Sequence, residues 1–384
     1  MRKRILPLST FATCLTFALV ILGSCSSKQE AEPSLKEAYK DFFYFGTAMN
    51  TPQILGEDTV SLRIIEQHFN AVTAENVMKW EFIQPRLGEF NFELADKMVE
   101  FAERNNMHVV GHALVWHSQV PKWVFEDENG NPATRELLLE RMRNHIHTVV
   151  GRYKGRVHSW DVVNEALAED GPLRQSKWFT IIGEDYIQKA FEFAHEIDPE
   201  AVLIYNDYNL AFPEKREGTV RMVKGLQEKG VPIHAIGMQG HYLLNTPPIE
   251  YIEASIQAYS ALGVEVMVTE LDINMLPFPT QRISADVGLS FEQRQEWDPY
   301  AGGLPDSIKV KFTRRYTDLF ELFLKYSDVI TRVTIWGVHD GLSWLNNWPI
   351  RGRTNYPLLF DRNHQPKPAV DSIIRMANRK RLGS

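Results

Sequence analysis

The stretch Ala235-Ile236-Gly237-Met238-Gln239-Gly240-His241 is followed by a helix-period segment over 249–262 and then by Val264-Glu265-Val266-Met267-Val268-Thr269-Glu270. Read as strand, helix and strand, it is one βα unit and the start of the next. Both strands are nearly continuous apolar runs. That suits parallel strands covered on both faces better than an antiparallel sheet with one wet face. Both also lead into polar side chains: Gln239 and His241 after the first, Glu270 after the second.

The same alternation repeats in both directions along the chain. Strands are expected at 44–48, 71–74, 108–112, 159–163, 202–206, 235–238, 264–269 and 332–336, with amphipathic helices at 93–105, 135–151, 185–197, 215–229, 249–262, 306–326 and 368–377. Eight such strands in roughly 340 residues fit a single-domain α/β fold, the (β/α)8 TIM barrel, which takes about 250 residues and grows by loop insertion. An open doubly wound sheet would place a glycine fingerprint after its first strand, and Gly46-Thr47-Ala48 is no such fingerprint. One segment, 277–304, breaks the alternation. It is long, polar and contains Pro and Gly. Loops of that length are commonly functional or disordered, and in a barrel this one would sit beside the mouth.

The N-terminus reads as a targeting segment rather than as fold. Arg2, Lys3 and Arg4 precede a short apolar run over 11–22, too short to span a bilayer comfortably. It ends in Leu22-Gly23-Ser24-Cys25, which resembles a bacterial lipobox. By that resemblance residues 1–24 are a lipoprotein signal peptide, Cys25 becomes the acylated N-terminus, and 25–40 form a polar tether ahead of a catalytic domain over 41–384. The expected location is export with a lipid anchor in a bacterial, by preference outer, membrane; the tether is too generic to separate a periplasmic from a surface orientation. Two acyl chains anchor firmly where one does not. Cys14 leaves with the peptide, so the mature domain has no thiol for disulfides, nucleophilic catalysis or cysteine metal sites. Processing also removes the three positive charges of Arg2, Lys3 and Arg4 and no negative one, taking the formal net charge from −7 to −10. An acidic exported domain repels phosphate backbones, which argues against nucleic acid as a partner. A hydrophobic content of 44% with 24% charge is ordinary for a globular chain, and a monomer is expected.

A barrel places its catalytic groups at the C-terminal ends of its strands. Here those ends read Thr73-Ala74-Glu75-Asn76, Gly111-His112-Ala113-Leu114-Val115-Trp116-His117, Trp160-Asp161-Val162-Val163-Asn164-Glu165, Tyr205-Asn206-Asp207-Tyr208, Gly237 to His241, Thr269-Glu270-Leu271-Asp272 and Trp336-Gly337. Nearly every strand delivers a polar or aromatic group to one rim. Glu165 and Glu270 stand at the tips of the fourth and seventh strands, nearly opposite each other across a closed barrel. Glycosidic hydrolysis needs such a pair, one to protonate the leaving oxygen and one to attack or to activate water, with surroundings that separate their pKa values. His241 could hydrogen-bond Glu270 and keep it ionised. No HExxH or paired-carboxylate metal spacing is present, so neither a catalytic metal nor a cofactor is expected.

These ordered motifs, with Val77-Met78-Lys79-Trp80 and the tail Pro357-Leu358-Leu359-Phe360-Asp361 followed by Pro366-Lys367-Pro368-Ala369, resemble glycoside hydrolase family 10 from about Phe43 to the C-terminus. The resemblance implies a retaining, double-displacement endo-β-1,4-xylanase acting on xylan and xylo-oligosaccharides, with Glu165 as acid/base and Glu270 as nucleophile. It implies that Glu75, Asn76 and Lys79 hold sugar hydroxyls on the non-reducing side. His112, Trp116 and Asn164 would line the subsite under attack, Gln239 and His241 would contact the 2-hydroxyl and position the nucleophile, and Trp336 and Trp344 would form aromatic walls. Gln119 and Tyr208 are expected to extend the cleft. Lys79 alone could be an i,i+4 ion pair with Glu75. His117, His145 and His147 read as packing or surface residues, and Trp297 and Tyr300 as either substrate stackers or loop anchors.

Overall fold

The computed structural model describes residues 34–280 and 284–383. Residues 1–33, with Cys25 and the expected signal peptide, lie outside the described residues, as does most of the expected tether. Among the described residues there are nine strands: β1 Tyr44–Met49, β2 Ala71–Ala74, β3 His108–Val115, β4 Ser159–Asn164, β5 Val202–Asp207, β6 Ala235–Met238, β7 His241–Leu243, β8 Glu265–Asn274 and β9 Ile330–Ile335. All pair in parallel. β1 joins both β2 and β9, and β6 joins β8, so eight strands close into a barrel; β7 is a short spur on β8. This is the (β/α)8 TIM barrel expected from the alternation.

The strands are buried along nearly their whole length, with β2, β4 and β6 buried at every residue. That explains their uniform apolarity. Glycine sets the packing at two points. A Cβ on Gly111 would meet the Trp160 ring at 2.1 Å, and one on Gly237 would meet Asn206 Oδ1 at 2.5 Å. The first lets a large indole fill the barrel; the second clears the space that Asn206 needs to reach the mouth.

Helices Glu93–Arg104, Arg135–Arg152, Tyr186–Ile197, Pro213–Glu228, Ile249–Ser260, Asp306–Lys325 and Pro368–Leu382 lie where amphipathic segments were expected. Thr59–His68, capped by the Asp58 carboxylate on the Ser61 amide, completes the ring. The packed fold also reaches back beyond residue 41. Leu35–Tyr39 is a helix with Leu35 and Tyr39 fully buried, and the Tyr39 hydroxyl donates to the Ile373 carbonyl at 2.9 Å. Residues 34–40, expected as part of the tether, therefore belong to the packed fold.

Candidate active site

Two of the strand tips are irregular, and each carries a glutamate. β4 slips register against β3 between His112 and Val115 and against β5 between Asp161 and Val163. Just beyond it, Glu165 sits at φ +59°, a left-handed conformation that a non-glycine residue adopts only when its surroundings enforce it. β8 slips against β9 between Val268 and Leu271, with Glu270 inside the irregular stretch. Such breaks re-aim side chains. Here they turn both carboxyls into one cavity of about 220 Å³.

The two carboxyls live in different surroundings. Glu165 Oε2 accepts from Trp116 Nε1 at 2.8 Å, and Oε1 accepts from Gln239 Nε2 at 3.0 Å. Burial, then the negative charge of Asp207, push its pKa up to about 7 against the opposing pull of those donors and of Lys215. At neutral pH a large share of Glu165 therefore holds a proton. Burial also pushes Glu270 up, but other effects more than reverse it. His241 Nε2 lies 3.2 Å from Oε2 and Asn206 Nδ2 donates to Oε1 at 2.7 Å; with His112 nearby, they hold Glu270 below the usual carboxylate range. His241 is itself held between Glu270 and Asp272, 3.1 Å from its Nδ1. Burial disfavours the imidazolium, yet the two acids push its pKa up to about 10. Trp344 Nε1 donates to Asp272 Oδ2 at 2.8 Å and fixes that acid in turn.

The rest of the cavity wall contains Glu75, Asn76, Lys79, His112, Trp116, Gln119, Asn164, Gln239, His241, Trp336 and Trp344. Every catalytic and sugar-binding residue expected from the sequence is brought there except one. Lys79 is not spent on a surface ion pair: its ammonium donates to Gln119 Oε1 at 2.9 Å and Asn76 Oδ1 at 3.1 Å, and lies 4.9 Å over the Trp116 ring. The exception is Tyr208, which is 2% exposed and packs behind the cleft under Lys215, with its hydroxyl accepting from Arg174 at 2.9 Å. It supports the wall and does not extend it.

Several working groups escaped the sequence reading. Asp161 holds the His112 ring at 2.7 Å, Asn206 donates to Glu270, and the buried pair Lys215–Asp207 at 2.6 Å sets the charge behind Glu165. Polar letters inside otherwise apolar strands (Asp161, Asn206, Asp207) were the available signal. Arg174 donates from Nε to the Glu165 carbonyl at 3.1 Å and pairs with Asp286 of the long loop at 3.4 Å. Through Ala285 and Val287 that loop supplies part of the cavity wall. Trp297 and Tyr300 do not line the cavity; Tyr300 anchors the loop by accepting from the Tyr356 hydroxyl at 3.0 Å. His145 is packing, stacked on Trp80 with ring centroids 3.7 Å apart, whereas His117 lies 3.9 Å from Glu165, nearer the chemistry than expected.

The family model described as glycosyl hydrolase family 10 matches residues 34–376. The chain is 46% identical to "Endo-1,4-beta-xylanase A" of Xylanibacter ruminicola, over 94% of this chain and 98% of that one. It is 45% identical to "Endo-1,4-beta-xylanase" of Geobacillus stearothermophilus, over 90% and 98%. Among solved structures, a family 10 endoxylanase from a sugarcane soil metagenome superposes with a TM-score of 0.87 at 49% identity, covering 89% of this chain and 100% of that one. A mutant in complex with xylotriose gives 0.80 at 41% identity, with coverage of 89% and 99%. By fold, by site geometry and by likeness along most of its length, the chain belongs to glycosyl hydrolase family 10.

Proposed function

We propose that the chain is an endo-1,4-β-xylanase that cleaves xylan with retention, Glu270 acting as nucleophile and Glu165 as acid and then base. The observation that carries the assignment of roles is the opposite displacement of two buried carboxyls in one cavity. In the first step a Glu270 oxygen attacks the anomeric carbon, the C1–O bond breaks, and Glu165 gives its proton to the departing oxygen. In the second, Glu165 takes a proton from water as the water oxygen attacks C1, and Glu270 leaves. Two inversions give retention. Hydroxyls of the chain on the non-reducing side would be met by Glu75, Asn76 and Lys79, and the aromatic walls Trp336 and Trp344 suit sugar faces. The test is release of reducing sugar from xylan, measured beside carboxymethylcellulose. Turnover of xylan that Glu270→Ala leaves at the wild-type rate would refute the nucleophile assignment, and equal turnover of both polymers would refute the preference for xylose.

Export and lipid anchoring rest on the sequence Leu22-Gly23-Ser24-Cys25 behind a positive, then apolar, leader. Incorporation of labelled palmitate into the expressed protein, abolished by Cys25→Ser together with release from the membrane fraction, is the expected result. A wild-type protein that stays unlabelled and soluble would dismiss the anchor while leaving the catalytic reading intact.

A further inference from the structure

Away from the cleft, three side chains from distant parts of the chain meet beside the seam where the first and last strands pair. Asp58 caps the helix Thr59–His68 that follows β1, His339 lies just past β9, and His364 lies in the turn before the final helix Pro368–Leu382. His339 Nε2 is 3.7 Å from Asp58 Oδ2, and His364 Nε2 is 3.7 Å from Asp58 Oδ1. The imidazoles face each other with centroids 4.1 Å apart. One donor atom from each residue falls within 4.8 Å of the other two.

These separations are too long for hydrogen bonds. A tetrahedral ion with bonds of about 2.0–2.1 Å holds its donors about 3.3–3.4 Å apart; the two 3.7 Å pairs end on different Asp58 oxygens, so binding by all three residues draws together donor atoms that now lie within 4.8 Å of one another. A second observation points the same way. Asp58 Oδ2 and His364 Nε2 are buried with no hydrogen-bond partner among the described residues, and such atoms are costly to bury unless something meets them. The other Asp58 oxygen is already engaged by the Ser61 amide at 3.0 Å. Two imidazoles and one carboxylate favour zinc-like ions over calcium or magnesium, which take all-oxygen sets. His339 Nδ1 lies 3.2 Å from the Gly341 amide; coordination through Nε2 moves the ring proton to Nδ1, so that contact within the turn opens on binding. The charges facing His339 from its surroundings are Asp361, which favours a cation, and Arg362, which opposes one.

We propose that Asp58, His339 and His364 form a site for one divalent metal of the zinc class, stapling the first βα unit to the end of the chain. None of the three lines the catalytic cavity, so the ion's role is structural. Tying residues so far apart in sequence constrains the unfolded chain strongly. After chelator treatment and dialysis, the protein is titrated with Zn(II) by calorimetry and its melting is followed. The expected result is one Zn(II) per chain and a rise in Tm of about 3 °C or more with free metal well above Kd. Co(II) in its place should give the visible absorption of a four-coordinate ion. Asp58→Asn keeps an amide oxygen to cap the helix, and His364→Asn keeps a residue tolerant of φ +62°. Both should retain xylan turnover and a metal-free Tm near wild type, while losing the metal-dependent rise and the Co(II) spectrum. Absence of stoichiometric binding to the wild type would overturn the proposal, and so would variants that respond to metal as the wild type does.

Discussion

The tips of β4 and β8 are built from the same materials: a strand buried on both faces, a slip in register, and a glutamate withdrawn from solvent. Burial acts on both carboxyls in the same direction, upward. What separates them is the company that each keeps. Glu165 meets two neutral N–H donors and has the Asp207 carboxylate behind it; Glu270 meets an imidazolium and a short amide bond. A low-dielectric pocket thus does not choose between acid and nucleophile; it amplifies whatever charge stands beside the group. Retaining chemistry requires one proton at β4 and none at β8 when substrate arrives, and this pairing supplies that state near neutral pH.

The largest expected effect comes from removing the ionised partner. Glu270→Gln keeps the shape and the Asn206 contact but ends attack on the anomeric carbon, and kcat on xylan should fall by on the order of 10^4–10^6. A loss below about 10^2 would mean that another group attacks. Glu165→Gln should cost about 10^2–10^4 on xylan, whose leaving oxygen needs a proton. The first step on a dinitrophenyl xylobioside, whose phenolate leaves unaided, should be nearly spared, with the glycosyl-enzyme accumulating. Equal losses on both substrates would contradict the assignment of Glu165 as the acid.

The pH profile tests the same contrast without a mutation at either glutamate. Activity requires Glu165 protonated and Glu270 ionised. As pH rises through the Glu165 value of about 7 the acid is lost, and kcat/KM should fall on that side. As pH falls through the depressed Glu270 value the nucleophile is protonated, so the acidic limb should lie below the usual carboxylate range. Replacing His241 by Gln removes the cation that favours ionised Glu270. The acidic limb should move to higher pH while the alkaline limb stays where it was. A shift of the alkaline limb alone would reverse the roles given to the two surroundings.

How far all this could be read from the sequence depends on whether the signal was local. The strands declared themselves by apolar runs, and the glutamates, indoles and histidines at their tips by position. Five helices among the described residues did not, Leu35–Tyr39 and Thr59–His68 among them. Leu35–Tyr39 is too short to show a period, and its Lys36 and Glu37 mask the fact that Leu35 and Tyr39 are buried. Thr59–His68 carries Val60, Ile64 and Ile65, residues that read equally well as strand, and only the Asp58 cap marks its start. At the site, the missing information was long-range. Nothing local says that Asn206 reaches Glu270 across 64 residues, or that Arg174 binds Asp286 across 112. Tyr208 shows the converse error: its place after a strand tip suggested the cleft, but Lys215 draws the ring inward to within 3.7 Å and buries it. The long loop could be located but not interpreted, because its contribution comes through two small apolar residues, Ala285 and Val287, that carry no motif.

The smallest effect is the most discriminating. Trp116→Phe keeps an aromatic ring in the wall but removes the N–H that Glu165 Oε2 accepts at 2.8 Å. That donor favours the ionised form, so its loss should raise the Glu165 pKa and carry the alkaline limb of kcat/KM to higher pH, by about half a unit to one unit if the bond contributes about 1 kcal/mol. The acidic limb, governed by the far side of the cavity, should not move. Lower turnover at every pH is expected as well, since the indole also packs beneath the Lys79 ammonium; only the displacement of one limb reports on the hydrogen bond. If both limbs moved together, the two carboxyls would be titrating as one coupled unit, and the separation of their surroundings would not be what assigns their roles.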